Sequence, residues 1–328
     1  MVCMFTVGSC DVGKSGAGRA IHHTIDHSVP LTTTQARSLD GGATWTTEPI
    51  PARVPGGVAL SADEHTDKSM KLATVLETEA GGREVRDCPG GVPLQHPDFA
   101  LLGARTGLGP GTRSMFYYSV DRCRSWLGPF ALPSFGQTGL AARTDYVVLG
   151  PRSVLLLLTA NKSNGREGKV CCVRSDDGCR TWALRSFVDA DVEPIDEQIM
   201  PASLQIPGGP LLVATRCCGD GKGGRQPTRQ WINIYRSDDE GRSFRHVARP
   251  VDQASRAHGE PAQQQHLTPS TNTSSLRRIV AAQLGLCVRN LVCQSATIII
   301  IPRGVEGFGV WWQATHRRYR CYLAVGSA

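Results

Sequence analysis

Short apolar runs separated by turn residues recur along the chain and predict β-strands rather than long helices. The longest runs, residues 154–160 and 296–302, suit buried strands, and residues 115–118 and 232–235 have the same strand-like character. The 328 residues also include 36 glycines and 20 prolines, which indicates frequent turns. We therefore expect an all-β protein, and a chain of this length can form one closed unit.

A turn motif with the pattern Ser-x-Asp-x-[Gly/Cys]-x-[Thr/Ser]-[Trp/Phe] occurs four times. The copies, which we call the box turns, begin at Ser38, Ser119, Ser175 and Ser237. Ser and Asp side chains form hydrogen bonds within such a loop, and glycine supplies the positive φ that a tight reversal needs. The final aromatic residue is expected to enter the core. Strand-like residues precede the later copies, so each motif is predicted to be a hairpin between two strands.

These motifs resemble the Asp-box repeats of the sialidase (neuraminidase) superfamily. The resemblance implies a six-bladed β-propeller of sialidase type, and it leaves open whether the last blades are incomplete or divergent. In that family the boxes brace the blades away from the ligand face, so the box residues are predicted to be structural. They are Ser38, Asp40, Trp45, Ser119, Asp121, Trp126, Ser175, Asp177, Trp182, Ser237, Asp239 and Phe244.

The resemblance does not extend evenly along the chain. It predicts an N-terminal segment of uncertain structure (1–25), blades with box turns (26–253), a polar linker (254–276) and a divergent C-terminal segment (277–328). Cys123 and Cys179 stand where the family usually has glycine. Those two turns must accommodate a Cβ atom or adopt a different backbone shape.

The resemblance also implies a sugar-binding site. Sialidases bind the sugar carboxylate with three arginines, because a planar guanidinium matches a carboxylate bidentately. Residues 200–216 resemble the stretch that ends in the second of these arginines, which assigns Arg216 to that role. Arg143 and Arg105, beside apolar runs, are further substrate-binding candidates. A solvated strand end or a structural ion pair is the alternative for each arginine.

The family cleaves the glycosidic bond with an aspartate acid/base and a tyrosine nucleophile that a glutamate orients. Asp26 is nearest to the place of the acid/base, and the family glutamate aligns with Met200, so Glu197 is the candidate substitute. The tail offers only residues 317–320 for the tyrosine and the third arginine, in surroundings that do not match. The chain is therefore predicted to be a sialidase-like glycoside hydrolase, and a catalytically inactive propeller that binds glycans or proteins stays open.

Residues 8–15 satisfy the P-loop pattern G-x-x-x-x-G-K-[ST] after a strand-like stretch. A P-loop needs a helix directly after the Lys-Ser pair, but glycines and a histidine-rich stretch follow here. The rest of the chain does not alternate strands and helices, as a nucleotide hydrolase of this class must. Nucleotide binding is therefore a remote alternative.

Net charge and cysteine content indicate which kinds of ligand, metal and cofactor the protein is expected to bind. The formal net charge of +7 comes from scattered basic residues, which fits an acidic glycan or small sugar better than nucleic acid. The 12 cysteines lack metal-site spacing, so we expect small buried residues or free thiols, with no metal and no cofactor. No signal peptide or membrane span is visible, so the chain as given is expected to be soluble and cytoplasmic, or exported if its N-terminus is incomplete.

Overall fold

The computed structural model of the chain describes residues 1–7, 32–40, 42–52, 85–192, 196–219, 229–253, 296–299, 308–315 and 318–325. Every regular element within these residues is a β-strand, which confirms the all-β prediction. In chain order the strands are β1 (Val2–Val7), β2 (Thr32–Arg37), β3 (Thr46–Pro49), β4 (Ala100–Arg105), β5 (Ser114–Ser119), β6 (Leu127–Ala131), β7 (Leu140–Val148), β8 (Val154–Asn161), β9 (Glu167–Ser175), β10 (Ala183–Phe187), β11 (Glu197–Gln205), β12 (Leu211–Gly219), β13 (Arg229–Ser237), β14 (Arg245–Gln253), β15 (Ala296–Ile299), β16 (Phe308–Thr315) and β17 (Arg318–Val325).

The strands form four antiparallel sheets and a separate hairpin of β16 and β17. The strand order is β15-β1-β2-β3 in the first sheet, β4-β5-β6 in the second, β10-β9-β8-β7 in the third and β11-β12-β13-β14 in the fourth. Consecutive strands pair with each other in the third and fourth sheets. In the first sheet, β15 from the segment predicted to be divergent pairs with β1 instead.

The pairing of β1 also bears on the P-loop alternative. Both neighbours of β1 are antiparallel to it, whereas a P-loop strand belongs to a parallel sheet with helical crossovers. Residues 8–15 lie outside the described residues. The strand that precedes the motif is therefore not in the setting that nucleotide binding requires.

The four sheets pack face to face in chain order. Val2 and Met4 of the first sheet share a buried cluster with Tyr117 of the second. The third sheet is covered on both sides: Leu156 packs with residues of the second sheet, and Leu157 packs with residues of the fourth. β8 is therefore buried along its whole length, as its uninterrupted apolar run predicted. This series is the local arrangement of propeller blades, and the count of six blades stays a prediction.

Each box turn closes a hairpin through the same hydrogen bonds. In the fourth sheet, Ser237 Oγ donates to Asp239 Oδ1 over 2.8 Å and accepts from the Gly241 amide over 2.8 Å. Asp239 Oδ1 also accepts from the Ser243 amide over 2.9 Å, and Oδ2 accepts from the Ser243 hydroxyl over 2.6 Å. The turns at Ser38, Ser119 and Ser175 repeat this pattern.

The aromatic residues of the box turns differ in how far they enter the core. Trp126 is buried between the first and second sheets, and Trp182 and Phe244 are partly buried against the clusters of their sheets. Trp45 departs from the expectation: it is only partly buried, and its indole N–H donates to the Gly42 carbonyl in its own turn. The exposed strand β3 that follows Trp45 does not form a core for it to enter.

The two cysteine-containing turns keep the backbone shape of the glycine-containing ones. Cys123 and Cys179 have φ angles of +61° and +69°, in the same left-handed region as Gly42 and Gly241 at +98° and +79°. Both thiol side chains are fully buried. The turns therefore accommodate a Cβ atom at the cost of local backbone strain. Among the described residues, the cysteines that are buried free thiols are Cys88, Cys123, Cys171, Cys172, Cys179, Cys217 and Cys218.

Removing one box carboxylate should destabilise the fold. Asp239→Ala deletes four hydrogen bonds, from the hydroxyls of Ser237 and Ser243 and from the amides of Arg242 and Ser243, so we expect a loss of about 1–3 kcal/mol in unfolding free energy. Asp238 is the matched control, because it is the preceding residue and its contacts, with Arg236 and with Arg245 at 3.9 Å, are on the surface. Urea unfolding should show a clear loss for Asp239→Ala and none for Asp238→Ala; equal effects would contradict the assignment.

The carboxylates of the box turns should also make the free energy of unfolding depend on pH in the acidic range. Desolvation raises the pKa of Asp177 and Asp239, but hydrogen bonds from Thr181 and Ser243 outweigh it and lower each pKa to about 2. A lowered pKa contributes stability that is complete above about pH 4 and is lost as the pH falls toward about 2. Unfolding measured across this window should show a shallower loss for Asp239→Ala than for the wild type. Parallel curves would refute the role of this carboxylate.

Candidate functional site

Strand register places two arginine candidates at the end of the sheets opposite the box turns. In the second, third and fourth sheets the box serine pairs with the first residue of the preceding strand. Counted from that pair, Arg105, Thr159 and Arg216 occupy equivalent positions on β4, β8 and β12. Strands rise about 3.3 Å per residue, so these side chains lie roughly 16 Å from the turns.

Arg105 and Arg216 also point to corresponding sides of their sheets. Arg105 shares a face of β4 with Leu101, which packs toward the third sheet. Arg216 lies on the face of β12 opposite to Leu211 and Val213, which pack back onto the third sheet. Each arginine therefore lies on the face of its sheet that is directed toward the later sheets in chain order. Arg105 is buried and Arg216 is half-buried, and the third sheet lies between their strands.

A bulge in β11 places Met200 beside Arg216. The pairing of β11 with β12 shifts between Ile199 and Ala202, and Met200 within the bulge has a φ of +53°. This left-handed conformation is strained for methionine. Arg216 Nη1 donates to Met200 Sδ over 3.8 Å, whereas the buried Nε–H of Arg216 has no acceptor among the described residues. The Nε–H group therefore stays unpaired among the described residues, and only the part of the half-buried Arg216 side chain that reaches the surface is open to a ligand.

Glu197 lies on the same face of the sheet as Arg216. Glu197 pairs with Cys218 across β11 and β12, and Ile199 pairs with Arg216 one step further along that face. Cys218 Sγ donates to Glu197 Oε2 over 3.3 Å. Burial raises the pKa of Cys218 to about 12, so this thiol keeps its proton and acts as a donor at neutral pH. The structure thus brings together Glu197, Met200 and Arg216, with Cys218 between the two charged side chains.

Two further contacts hold the beginning of β11. The Lys162 ammonium, which is only 3% exposed, donates to the Asp196 carbonyl just before the strand. Gly168, with a φ of +148°, approaches so closely that a Cβ atom there would lie 3.1 Å from Glu197 Cα. These contacts come from β9 and the end of β8 in the third sheet. They fix the backbone from which the Glu197 carboxylate projects.

Asp145 joins the first strands of the third and fourth sheets. It is half-buried beside a bulge of β7, and its Oδ2 accepts from the Ser203 amide over 2.6 Å and the Ser203 hydroxyl over 2.8 Å. Desolvation raises the pKa of the Asp145 carboxyl despite these hydrogen bonds. Arg143 lies in the same bulge, two residues before Asp145, as Met200 lies two residues before Ala202 in β11, but its side chain is outside the described residues.

The remaining candidates are not brought to this site by the described residues. Asp26 lies outside them, as does residue 317, whereas Arg318, Tyr319 and Arg320 lie on β17. Tyr319 lies on β17 and pairs with Ala314, and its side chain is not described. The assignments of Asp26, Glu197, Arg216, Arg143 and Arg105 to catalysis or binding therefore stay predictions.

Sequence reasoning missed Cys218 and the link from Asp145 to Ser203. The adjacent cysteines 217 and 218 were read as small buried residues, which their burial bears out. Alternation along a strand puts Cys218 on the face of Arg216, so that signal was present once β12 was recognised. The approach of Asp145 to Ser203 joins two sheets, and no local pattern predicts it.

Comparisons with known proteins give weak structural likenesses and no sequence match. No family model and no curated protein matches the chain. A protein of unknown function from Dyadobacter fermentans is similar over 70% of this chain and 60% of its own length, at 16% identity and a TM-score of 0.42. An α-L-arabinanase of Penicillium chrysogenum bound to arabinobiose is similar over 67% of this chain and 63% of its own, at 14% identity and a TM-score of 0.41.

The Trypanosoma rangeli sialidase in complex with sialic acid is similar over 68% of this chain and 33% of its own length, at 16% identity and a TM-score of 0.35. The chain thus spans less than two thirds of the length of all three proteins. Within the described residues, no helix is long and apolar enough to cross a membrane. No group of three His, Cys, Asp or Glu side chains in this part of the chain is placed to hold a metal ion.

Proposed function

We propose that the chain is a β-propeller of sialidase type that binds a terminal acidic sugar of a glycoconjugate and hydrolyses its glycosidic bond. The observation that carries this proposal is the state of Arg216. Its guanidinium is half-buried at the sheet end opposite the box turns, and its buried Nε–H has no acceptor among the described residues. A sugar carboxylate at this end would accept hydrogen bonds from the guanidinium, which can bind a carboxylate through two parallel hydrogen bonds.

The architecture supports a ligand site at this end. Four sheets packed face to face bring the same strand ends to the same side of the molecule, and the box turns occupy the other side. In this proposal Arg105 and Arg143 contact the ligand from the second and third sheets. The scattered positive charge of the chain, +7 in all, favours an anionic ligand.

Hydrolysis requires groups that transfer protons and attack the anomeric carbon. We assign the acid/base role to Asp26, on the resemblance of its position to that of the family aspartate. Glu197 is assigned to the role of the family glutamate, because its carboxylate lies on the face of Arg216. These two roles rest on position and await the tests below.

A second candidate, binding without turnover, is favoured by Met200. This residue aligns with the family glutamate and contacts Arg216 through its thioether. A thioether can neither orient a nucleophile by charge nor accept a proton at neutral pH. Such a site would recognise an acidic glycan and leave it intact.

Arg216 should determine the affinity for an acidic sugar. Arg216→Ala leaves the sugar carboxylate unpaired, so we expect binding to weaken by about 2–5 kcal/mol. Arg216→Lys keeps the charge but loses the planar pair of donors, and should recover only part of the affinity. Calorimetry with sialic acid and a neutral sugar of similar size measures this, with Arg242→Ala, an exposed arginine of a box turn, as the matched control. Equal binding by wild type and Arg216→Ala removes the proposed site.

Turnover separates the two candidate functions. If the chain is a hydrolase, purified protein should release the fluorophore from a fluorogenic sialoside, and Asp26→Asn and Glu197→Gln should each lower kcat by at least about 100-fold. Saturable binding of sialic acid with no release would instead establish the binding-only function. Release that both substitutions leave unchanged would show that Asp26 and Glu197 are not the catalytic carboxylates.

A further inference from the structure

A pair of cysteines lies at the junction of the second and third sheets, away from the arginine end. One belongs to residues 85–94, a segment that we call the strap. The strap follows the outer strand of the second sheet, where Arg86 forms a bridge with Phe130. The Ala131 amide also donates to the Arg86 carbonyl over 2.9 Å. The strap is therefore anchored to β6.

The strap also contacts the box turn of the third sheet on both sides of Cys179. The Val92 amide donates to the carbonyl of Gly178, the residue before Cys179, over 3.2 Å. Arg180, the residue after it, donates from Nε to the Pro89 carbonyl over 3.0 Å. A Cβ atom on Gly90 would lie only 2.9 Å from Arg180 Cβ. The strap and the box turn, two segments of the same chain, are therefore in contact around Cys179.

Cys88 precedes Pro89 in the strap and lies in the same buried cluster as Cys179. The two side chains are 6% and 0% exposed. Burial raises the pKa of Cys179 to about 12, and the next largest influence on that pKa is Cys88. Tyr118 lies against the same cluster, and its raised pKa reflects burial first and then both cysteines. The two cysteine side chains therefore lie in one buried cluster of the core.

The box position of Cys179 directs its Cβ atom toward the neighbouring sheet. Gly241 holds the corresponding position in the fourth sheet, and a Cβ atom there would lie 2.7 Å from Cys172 Sγ of the third sheet. By the same geometry the Cys179 side chain enters the space between the third sheet and the second, which the strap borders. A glycine would adopt the φ of +69° at this position without strain.

We propose that Cys88 and Cys179 form a disulfide when the protein folds in the presence of an oxidised thiol such as glutathione disulfide, and that this bond locks the strap to the box turn. One cysteine thiolate attacks glutathione disulfide and releases one glutathione thiolate. The second cysteine thiolate then attacks the mixed disulfide and releases the other. The cysteines lose two protons and the released glutathione thiolates take up two, so the two electrons reduce glutathione disulfide to two glutathione thiols.

The rate of disulfide formation should depend on how much of the protein is unfolded. The attacking species is the thiolate, and burial with a raised pKa leaves very little thiolate in the folded protein. Oxidation of the folded protein is therefore slow, and oxidation during folding or in mild denaturant is fast. The bond closes a loop of roughly 90 residues, which restricts the unfolded chain and stabilises the folded one.

The test is refolding under thiol exchange. Reduced, urea-unfolded protein is refolded in a glutathione redox buffer, free thiols are alkylated, and the digest is analysed by mass spectrometry. We expect a peptide that links Cys88 to Cys179 as the main cross-linked species. The Tm of the oxidised protein should exceed that of the reduced protein by about 5–10 °C. Incubating folded protein with glutathione disulfide in sub-denaturing urea gives the same product without a refolding step.

Three substitutions complete the test. Cys88→Ala and Cys179→Gly should each abolish the linked peptide and the dependence of Tm on oxidation. Cys179→Gly restores the residue that two other box turns carry, so this variant is expected to fold. Cys123→Gly, the same change in the box turn of the second sheet, should leave both readouts intact. Free Cys88 and Cys179 in the oxidised protein, cross-links with no preference for this pair, or an unchanged Tm would each overturn the proposal.

Discussion

One serine hydroxyl in each box turn donates to an aspartate and accepts from a backbone amide, and the arrangement of the sheets depends on it. In the fourth sheet Ser237 closes the hairpin of β13 and β14, and it also pairs with Leu211 at the beginning of β12. The turn therefore sets the register of three strands. A slip of one residue would turn the buried faces outward, so the core and the box hydrogen bonds enforce the same register.

The packing of neighbouring sheets explains why two box turns carry cysteine and others carry glycine. The side chain at this position enters the interface with the preceding sheet. In the fourth sheet that space is already filled by Cys172, so only Gly241 fits. In the second and third sheets Cys123 and Cys179 fill the space themselves and are fully buried. Burial of the thiol offsets a backbone strain of about 1–3 kcal/mol. A glycine beside a neighbouring side chain and a buried cysteine therefore both fill the interface between adjacent sheets.

Local patterns in the sequence predicted the elements but not their irregularities. The apolar run of β8 and the repeated motif predicted a buried strand and four hairpins, because both depend on neighbouring residues. The equivalence of Arg105 and Arg216 was hidden, because β4 ends at Arg105 whereas β12 continues beyond Arg216, so the two arginines stand at different distances along the chain from their box serines. The bulges of β7 and β11 shift register without any signal in the alternation of residues. The pairing of β15 with β1 joins opposite ends of the chain, which no local pattern predicts.

The bulge of β11 gives the arginine end a fixed shape. Met200 holds a strained φ of +53°, and a free loop would relax it. Paired residues on both sides of the bulge prevent this, as does the bond of Ser203 to Asp145 in the third sheet. Arg216 is thereby held against a thioether, and no carboxylate at position 200 neutralises its charge. A positive group in a preorganised frame loses little entropy when it binds an anion. The same frame offers no acid or base at position 200, so a carboxylate on this face comes from Glu197 instead.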